Sequence, residues 1–362
     1  MGKIDSSGIR KVFDLAAELK DPVNLSIGQP DFDVPASVRE AAKRAIDRGL
    51  NKYTVTQGIP ELNSAIRAQL KRDKSYEPEA IFVTSGVSGA LMLAFLVLFD
   101  PGDEVLIPDP YFVMYKHLVN LTGATPRFVD TYPDWKATAA RIAPHVNKKT
   151  KAIVINSPCN PTGAVMNGQE LREVADLAAR HNLLLITDEI YDAFVYDEPY
   201  CSVAPMYART LLVSGLSKSH AMTGWRLGYA AGPAEIIGEM VKLQQFSFVC
   251  APSFAQHAAV QALNVDTRQY RDDYRRKRDM IYEGLRDKFD VQRPGGAFYI
   301  FPRVPWGNDR EFVAEAIRNN LLVIPGSVFS ERDTHFRISY AASDDTIRRG
   351  IEILNRMAGG AH

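Results

Sequence analysis

The segment SGLSKSHAMTGWRLGY, residues 214–229, is the most informative stretch of this 362-residue chain. It places Lys218 among small residues, with Arg226 eight positions further on. A lysine amine can attack an aldehyde carbon, and the planar guanidinium of an arginine binds a phosphate through parallel hydrogen bonds. The spacing therefore predicts a Schiff-base site for a phosphorylated aldehyde. A solvated lysine in a loop is the ordinary alternative, and four further segments argue against it.

A carboxylate follows a predicted buried strand at residues 187–191. The apolar run 183–186 before it is short and unbroken, which is typical of a strand covered on both faces. Asp188 then lies at the carboxyl end of this strand, where open α/β sheets bind their ligands. A buried carboxylate needs a cation, and a protonated ring nitrogen would satisfy it. Tyr191 could reach a hydroxyl on the same ring. Taken alone, a helix-capping Asp and a surface Tyr explain these two residues as well.

Three other segments follow predicted strands in the same way. Residues 156–163 form an irregular turn with two prolines and a glycine, from which the Asn160 amide projects. Residues 82–91 predict a strand, a small-residue turn and an apolar helix, a layout that points free backbone N–H groups at a phosphate. Residues 108–112 place Phe112 where its ring could stack on a heteroaromatic ring. Each signal is weak by itself, since such turns and core aromatics are common.

In this order, the segments resemble the class I and II aminotransferases of fold type I, which bind pyridoxal 5′-phosphate (PLP). The bacterial and archaeal aspartate and aromatic amino acid aminotransferases are the most similar subgroup. Ser-Pro-x-Asn-Pro-Thr-Gly, Asp-Glu-x-Tyr and Ser-Lys-x7-Arg carry the resemblance, which extends from residues 25–32 to residues 336–340. It implies an α/β fold with a large PLP-binding domain, residues 36–264, whose mostly parallel sheet is flanked by helices. Residues 1–35 and 265–362 are expected to form a smaller α/β domain.

The hydrophobic pattern independently predicts an α/β protein. Helical stretches, such as residues 168–181, alternate with short apolar runs, and such alternation is typical of a parallel sheet covered by helices. Residues 8–20 carry apolar side chains at helical spacing, and Ser343 is typical of a helix N-cap. The predicted strands are residues 81–84, 104–107, 151–155, 183–187, 211–214 and 228–231.

The resemblance implies a role for each residue of the predicted cofactor site. Lys218 would bond to the cofactor aldehyde and then move a proton, Asp188 would hold the ring nitrogen, and Tyr191 would share the catalytic set with them. Asn160 and Tyr191 would contact the ring hydroxyl, and Phe112 would stack on the ring. The phosphate would be held by Gly86, Val87, Ser88, Ser217 and Arg226. Burial and Arg226 are both expected to lower the pKa of Lys218, which is about 10.4 in an unperturbed lysine.

Substrate and partner residues are implied in the same way. Gly28, Asn160 and Arg337 would bind the amino acid, with the Arg337 guanidinium on the α-carboxylate. A surface arginine on an edge strand explains the local pattern around Arg337 equally well. Tyr53 matches a tyrosine that reaches the phosphate of the other subunit, which implies a homodimer with active sites at the interface. His220 is assigned to packing or to a second proton-carrying group.

The resemblance implies reversible amino transfer between an L-amino acid and a 2-oxo acid such as 2-oxoglutarate. Aspartate and aromatic or apolar amino acids are the candidate donors, and no arginine or lysine is assigned to a distal carboxylate. A PLP-dependent C–S β-lyase of the same fold stays open as the alternative. A ligand-sensing regulator is disfavoured because the resemblance begins by residue 25, which leaves one helix before it. The expected side-chain pocket is formed by Phe32, Val55, Thr56, Gln57, Tyr111, Met114 and Tyr115.

Composition excludes several other classes of protein. Lys plus Arg and Asp plus Glu both number 43, so the net charge of zero gives no basic surface for nucleic acid or anionic membrane. The three cysteines show no metal-ligand spacing, and no metal is expected. They fit a reduced compartment, and the charged N-terminus lacks a secretory signal, so a cytoplasmic enzyme is expected. The uncharged stretch 80–99 is interpreted as buried core because small polar residues divide it.

Overall fold

The computed structural model describes residues 19–359. The helix predicted over residues 8–20 therefore lies, except for its last two residues, outside the described residues. The described chain is built around a seven-stranded sheet with helices on both faces, together with two small sheets. The α/β fold with a mostly parallel sheet is thus confirmed.

The large sheet runs in the order β2-β8-β7-β6-β5-β3-β4, and β8 is antiparallel to both of its neighbours. All other pairs in this sheet are parallel. Parallel strands aligned in this way bring their carboxyl ends to one edge, where α/β proteins place ligand sites. The strands are β2 (Ala80–Thr84), β3 (Glu104–Asp109), β4 (Thr125–Asp130), β5 (Thr150–Asn156), β6 (Leu184–Asp188), β7 (Thr210–Gly215) and β8 (Gly228–Gly232).

The two small sheets involve residues that lie far apart in the sequence. One pairs β1 (Val23–Asn24) in parallel with β10 (Leu321–Leu322), and the other is antiparallel with the order β11-β12-β9. Its strands are β9 (Tyr299–Ile300), β11 (Ile324–Pro325) and β12 (Phe336–Ser339). The pairing of β1 with β10 joins the N-terminal segment to the C-terminal part. The division of the chain into domains at residues 35/36 and 264/265 stays a prediction.

Helices connect most of these strands, and their sequences explain where they begin. Asn167 and Glu170 form a capping box at the start of the helix that was predicted over residues 168–181. Ser343 accepts a hydrogen bond from the backbone N–H of Thr346 at 3.2 Å, as its predicted N-cap role requires. The helices are α1 (Ala36–Asp47), α2 (Pro60–Lys74), α3 (Gly86–Leu98), α4 (Met114–Thr122), α5 (Ala139–Ile142), α6 (Gly168–Arg180), α7 (Ala234–Gln245), α8 (Ser253–Ala262), α9 (Arg268–Leu285), α10 (Asp309–Arg318) and α11 (Asp344–Gly359).

All six predicted strands are present in the large sheet, and the seventh was missed. Strand β4 lies at the sheet edge, alternates exposed and half-buried residues, and contains Pro126. An edge strand tolerates proline, and the partly exposed residues of β4 do not form the continuous apolar run that identified the other six strands. The stretch 80–99 forms β2, a turn and α3 in the core, as expected. Within residues 19–359, none of the helices has both the length and the apolar character needed to cross a membrane.

Candidate active site

A cavity of about 340 Å³ opens at the carboxyl ends of the parallel strands. The sequence-predicted residues that line it are Gly28, Val87, Ser88, Phe112, Asn160, Asp188, Tyr191, Ser217, Lys218, Arg226 and Arg337. These residues come from segments spread over more than 300 positions, so the sheet edge brings them together as expected. Further lining residues that the sequence did not indicate are Ile27, Gln29, Leu91, Asn156, Ile190, Thr223 and Tyr299.

The amine of Lys218 faces this cavity and donates a hydrogen bond to the Gly28 carbonyl at 2.5 Å. Burial, together with the guanidinium groups of Arg337 and Arg226, lowers the pKa of Lys218 to about 8, against an opposing contribution from Asp188. The sequence anticipated burial and Arg226 but not the larger effect of Arg337. A lysine in this environment has an accessible neutral form near neutral pH, which both nucleophilic attack and proton transfer require.

Asp188 ends β6 and is 3% exposed. Its Oδ2 accepts a hydrogen bond from the Tyr115 hydroxyl at 2.8 Å, and its Oδ1 accepts one from the Ile190 N–H at 3.2 Å. Burial raises the pKa of Asp188 to about 6, although these two hydrogen bonds oppose the rise. The carboxylate therefore sits in a site where a nearby positive charge would stabilise it strongly.

Asn156 connects the turn around Asn160 to the Asp188 strand. Its side-chain amide donates to the Asp188 carbonyl at 2.9 Å, and its Oδ1 accepts the Asn160 N–H at 2.9 Å. Asn156 ends β5 just as Asp188 ends β6. The strand-end argument that identified Asp188 would have identified Asn156 too, had it been applied to both strands.

Arg337 lies on β12, the central strand of its sheet, and is 1% exposed. It donates to Asn160 Oδ1 and to the Ser26 carbonyl, each at 2.9 Å. The Tyr299 and Phe329 rings lie 4.6 and 4.5 Å from its Cζ. Its buried Nε has no hydrogen-bond partner, and no carboxylate of the described residues pairs with it. The interpretation as a surface arginine on an edge strand is therefore wrong, since Arg337 is a buried cation on a central strand and lines the cavity.

Two tyrosines complete the wall beside Arg337. The hydroxyl groups of Tyr191 and Tyr299 lie 2.8 Å apart, and their rings pack edge to face. Gly28 approaches the Tyr299 hydroxyl so closely that a Cβ at this glycine would lie 2.5 Å from it. Although the Gly-Gly-Ala-Phe-Tyr segment contributed to the resemblance, Tyr299 was not predicted as a site residue. Its contact with Arg337 forms within the small sheet, whereas its contact with Tyr191 depends on that sheet folding against the large one.

The end of the cavity beside α3 is suited to an anion. Gly86 begins α3 with a φ of +73°, and a Cβ there would lie 2.6 Å from the Arg226 guanidinium. Glycine therefore lets the guanidinium approach the first turn of the helix, although Gly86 itself does not line the cavity. Arg226 also donates to the Thr223 carbonyl at 2.9 Å. Free N–H groups at the start of α3 and the guanidinium together provide donors and positive charge.

Some predicted residues lie outside the cavity. Tyr53 is 84% exposed and does not line the cavity of its own chain. Of the expected side-chain pocket, Tyr115 alone lines the cavity that the described residues form. Phe32 instead stacks on Tyr270 at 3.7 Å. His220 is buried beside a separate cleft, where burial lowers its pKa to about 4, and this favours packing over proton transfer.

Comparison with known proteins gives the same result as the geometry. The family described as "Aminotransferase class I and II" matches residues 20–354. The aspartate aminotransferase of Pyrococcus abyssi is 38% identical, over 98% of this chain and 96% of its own length. The aromatic-amino-acid aminotransferase 2 of Thermococcus litoralis is 35% identical, with the same coverage of both chains. The structure of the aspartate aminotransferase from Thermus thermophilus with maleate superposes with a TM-score of 0.94 at 35% identity, covering 98% of this chain and 97% of that one.

Proposed function

Because the chain belongs to the class I and II aminotransferases and is an enzyme of amino transfer, we propose that it binds PLP at Lys218 in this cavity. The observation that carries the proposal is the Lys218 amine, which faces the cavity with a lowered pKa between two guanidinium groups. An amine that is kept partly neutral at the end of a ligand-sized cavity is suited to attack a carbonyl carbon.

The residues present fit the cofactor at each of its polar groups. Gly86 leaves room for Arg226 beside the first turn of α3, which suits a phosphate, with Val87, Ser88 and Ser217 nearby. Asp188 offers a buried carboxylate to a protonated ring nitrogen. Phe112 lines the cavity where it could stack on the ring, and Tyr191 and Asn160, which also line it, would contact the ring hydroxyl. When bound, PLP supplies an electron sink for negative charge at the substrate Cα.

The remaining chemistry belongs to the side chains. Arg337 would bind the substrate α-carboxylate, since this anion would satisfy its unpartnered Nε and its uncompensated charge. Gly28 and Asn160 border the same position. Lys218 Nζ, in its neutral form, would accept the proton that leaves the substrate Cα. A carboxylate held at Arg337 would orient the substrate Cα toward this amine, and such orientation would supply part of the rate.

Covalent trapping tests the cofactor assignment. The purified enzyme should be yellow, and borohydride should fix a cofactor adduct that peptide mapping assigns to Lys218. Lys74, which is buried in ion pairs with two carboxylates, is the internal comparison and should carry none. An adduct on any lysine other than Lys218 would contradict the assignment.

For the substrates, we propose L-amino acids with aspartate and aromatic side chains as donors and 2-oxoglutarate as acceptor. The relatives from Pyrococcus abyssi and Thermococcus litoralis bear the names of these two specificities. The cations that line the cavity in the described chain are Lys218, Arg226 and Arg337, and all three have assigned roles. A distal carboxylate would therefore be held by neutral donors such as Gln29 or Asn156.

A panel of donors tests this specificity. The measurement is kcat/KM for aspartate, phenylalanine, tyrosine, alanine and kynurenine against 2-oxoglutarate, and aspartate or an aromatic donor should give the highest value. If none of them reacts while cystathionine yields pyruvate and ammonia, the C–S β-lyase alternative replaces this proposal.

We also propose that the enzyme is a homodimer with active sites at its interface. Two neighbouring loops carry exposed apolar side chains, which we call the apolar patch: Tyr53, Val55, Phe246, Phe248 and Val249. The Gln244 side chain donates to the Thr56 carbonyl at 2.9 Å and so holds the loops together. The Phe248 ring lies near Gly89, in the first turns of α3, so the patch borders the proposed phosphate end. Exposed apolar surface of this kind is typical of a protein interface.

Complementation between inactive variants tests the shared site. Tyr53→Ala and Lys218→Ala proteins, mixed under conditions of subunit exchange, should recover part of the activity because hybrid dimers contain one intact site. A monomeric mass in solution together with no recovery would contradict the proposal.

We also propose a cytoplasmic location, and the state of the cysteines is its basis. Cys159, Cys201 and Cys250 are all free thiols in the structure. Free thiols persist in the reducing cytoplasm, whereas oxidising compartments favour disulfides. Cell fractionation with an antibody against the chain should find it in the cytoplasmic fraction.

A further inference from the structure

The Tyr115 side chain lies behind Asp188 and reaches it across 73 positions of sequence. Tyr115 is 1% exposed, belongs to the first turn of α4, and donates its hydroxyl to Asp188 Oδ2 at 2.8 Å. We propose that Tyr115 is a positioning residue of the active site, whose hydroxyl keeps the Asp188 carboxylate ionised and aimed at the ring nitrogen of PLP. This inference rests on the proposed function, since it requires PLP in the cavity.

The hydrogen bond has a defined direction. Burial and the neighbouring Asp188 carboxylate raise the pKa of Tyr115 well above its ordinary value, so the phenol keeps its proton and donates. The second carboxylate oxygen is occupied by the Ile190 N–H. Among the described residues, Tyr115 is the one side chain that donates to this carboxylate. Asp188 is therefore held at both oxygens, which fixes the plane of its carboxylate.

The charged and titratable groups around Asp188 explain why the neutral Tyr115 hydroxyl matters for its ionisation. The titratable groups that face it are Tyr115, Cys159, Glu189, Tyr191 and Lys218. Glu189 is already paired with Lys74 at 2.6 Å, and the charge of Lys218 is reduced by its lowered pKa. Burial favours the protonated acid at Asp188, and the Tyr115 hydroxyl opposes this. Without the hydroxyl, a proton shared between Asp188 and a ring nitrogen would move toward Asp188.

The structure also explains how Tyr115 is held. The Phe112 ring packs edge to face on the Tyr115 ring, with centroids 5.7 Å apart. Phe112 is the residue proposed to stack on the cofactor. One short segment would therefore carry both the stacking ring and the hydroxyl that donates to the Asp188 carboxylate. Tyr115→Phe keeps the ring and its packing and removes the hydroxyl alone.

The test uses PLP labelled with ¹⁵N at the ring nitrogen, bound to the full-length enzyme. In the wild type, the ¹⁵N resonance should lie at the position of a protonated ring nitrogen, and in Tyr115→Phe it should move toward the neutral position. The apoenzyme should bind PLP roughly ten- to a hundredfold more weakly in this variant, the range expected for losing a hydrogen bond to a charged group.

Tyr111→Phe is the matched control. The Tyr111 hydroxyl, four residues earlier in the chain, donates to the Glu331 carboxylate at 2.7 Å and lies outside the cavity. Losing it should leave both the resonance and the PLP affinity unchanged. Circular dichroism and thermal unfolding of the apoenzymes should show that both variants are folded.

A double-variant cycle separates an effect through Asp188 from a general loss of packing. If Tyr115 acts through Asp188, Tyr115→Phe should weaken PLP binding much less in an Asp188→Asn background than in the wild type. Equal effects in both backgrounds, or a wild-type resonance in Tyr115→Phe, would overturn the inference while leaving the proposed function standing. A wild-type enzyme that fails to bind PLP would overturn both.

Discussion

Lys74 and Lys218 are both withdrawn from solvent near the end of β6, but their surroundings are opposite. The amine of Lys74 lies 2.6 Å from Glu189 and 2.5 Å from Asp192. Burial lowers the pKa of Lys74, but these two carboxylates outweigh it and raise the pKa. At Lys218 burial acts in the same direction as Arg337 and Arg226, and the pKa falls to about 8.

The sign of the neighbouring charges thus separates a structural lysine from a reactive one. Lys74 is fixed as a cation and compensates two carboxylates beneath the active-site strand, whereas Lys218 can lose its proton near neutral pH. Burial alone would not distinguish them. A perturbed pKa in a cavity marks a functional candidate, and a perturbed pKa inside an ion-pair network marks a structural one. Four predictions test this contrast.

The largest effect is expected from Lys218→Ala. Activity should fall by about 10⁴-fold or more, because the variant would lose both the group proposed to bond to the cofactor and the base proposed to move the proton. Steady-state rates with aspartate and 2-oxoglutarate measure this, and circular dichroism checks the fold. A rate within tenfold of wild type would show that another lysine carries the chemistry.

Lys74→Met should mainly lower the free energy of unfolding. It leaves Glu189 and Asp192 without their cation, and breaking a buried ion pair in this way costs about 3–5 kcal/mol. Urea unfolding of the apoenzyme measures the change. Lys71→Met is the matched control on the same helix, since the Lys71 pair with Glu77 is exposed and should contribute little to stability. Equal losses in the two variants would contradict the structural role of Lys74.

Asp188→Asn should lower the rate by roughly a hundred- to a thousandfold, which corresponds to about 2.7–4 kcal/mol of barrier. The amide keeps the shape of the side chain but removes the charge that would stabilise a protonated ring nitrogen. Single-turnover kinetics with a saturating amino acid measure the effect on the chemical step. A rate within threefold of wild type would show that this carboxylate is misassigned.

The smallest effect is a change in how stability depends on pH. The pKa of Lys218 is about 8 in the fold, below its ordinary 10.5, so between these values the unfolded chain binds the extra proton. Lys218 therefore destabilises the apoenzyme below pH 8, and this cost is relieved as the pH rises toward 10.5. Lys218→Met should be more stable than wild type at pH 7, and the difference should shrink by pH 10.5. Urea unfolding at both pH values tests this, and a constant difference would contradict the lowered pKa.

Much of the fold and of the site could be predicted because the signals are local. The six predicted strands, which include β2 at one edge of the sheet, are continuous apolar runs, since strands covered on both faces by helices have no polar side. Asp188, Asn160 and Phe112 were found because each follows such a run. The carboxyl ends of parallel strands meet at one sheet edge, so these side chains had to lie together. Strand β4 was missed because its residues are mostly exposed or half-buried and form no such run.

The contacts that hold these side chains in place could not be predicted, because they join segments that lie far apart in the sequence. Arg337 reaches Asn160, in the loop after a strand of the large sheet, only when the small sheet packs against the large one. Lys74 reaches Glu189 from a helix end 115 positions earlier. Neither segment has a sequence pattern that indicates which distant residue it contacts.

The sequence by itself determined which residues could do chemistry, since Lys218, Asp188 and Arg226 have few substitutes for bonding to an aldehyde, a ring nitrogen and a phosphate. The tertiary structure alone decided their protonation, because a pKa depends on burial and on charges within a few ångströms. Arg337 lowers the pKa of Lys218 from 119 positions away in the chain, and Tyr115 supports the ionised form of Asp188 from 73 positions away. Residues so far apart in the sequence come close together only when the helices pack on the large sheet and the small sheet folds over the edge of that sheet.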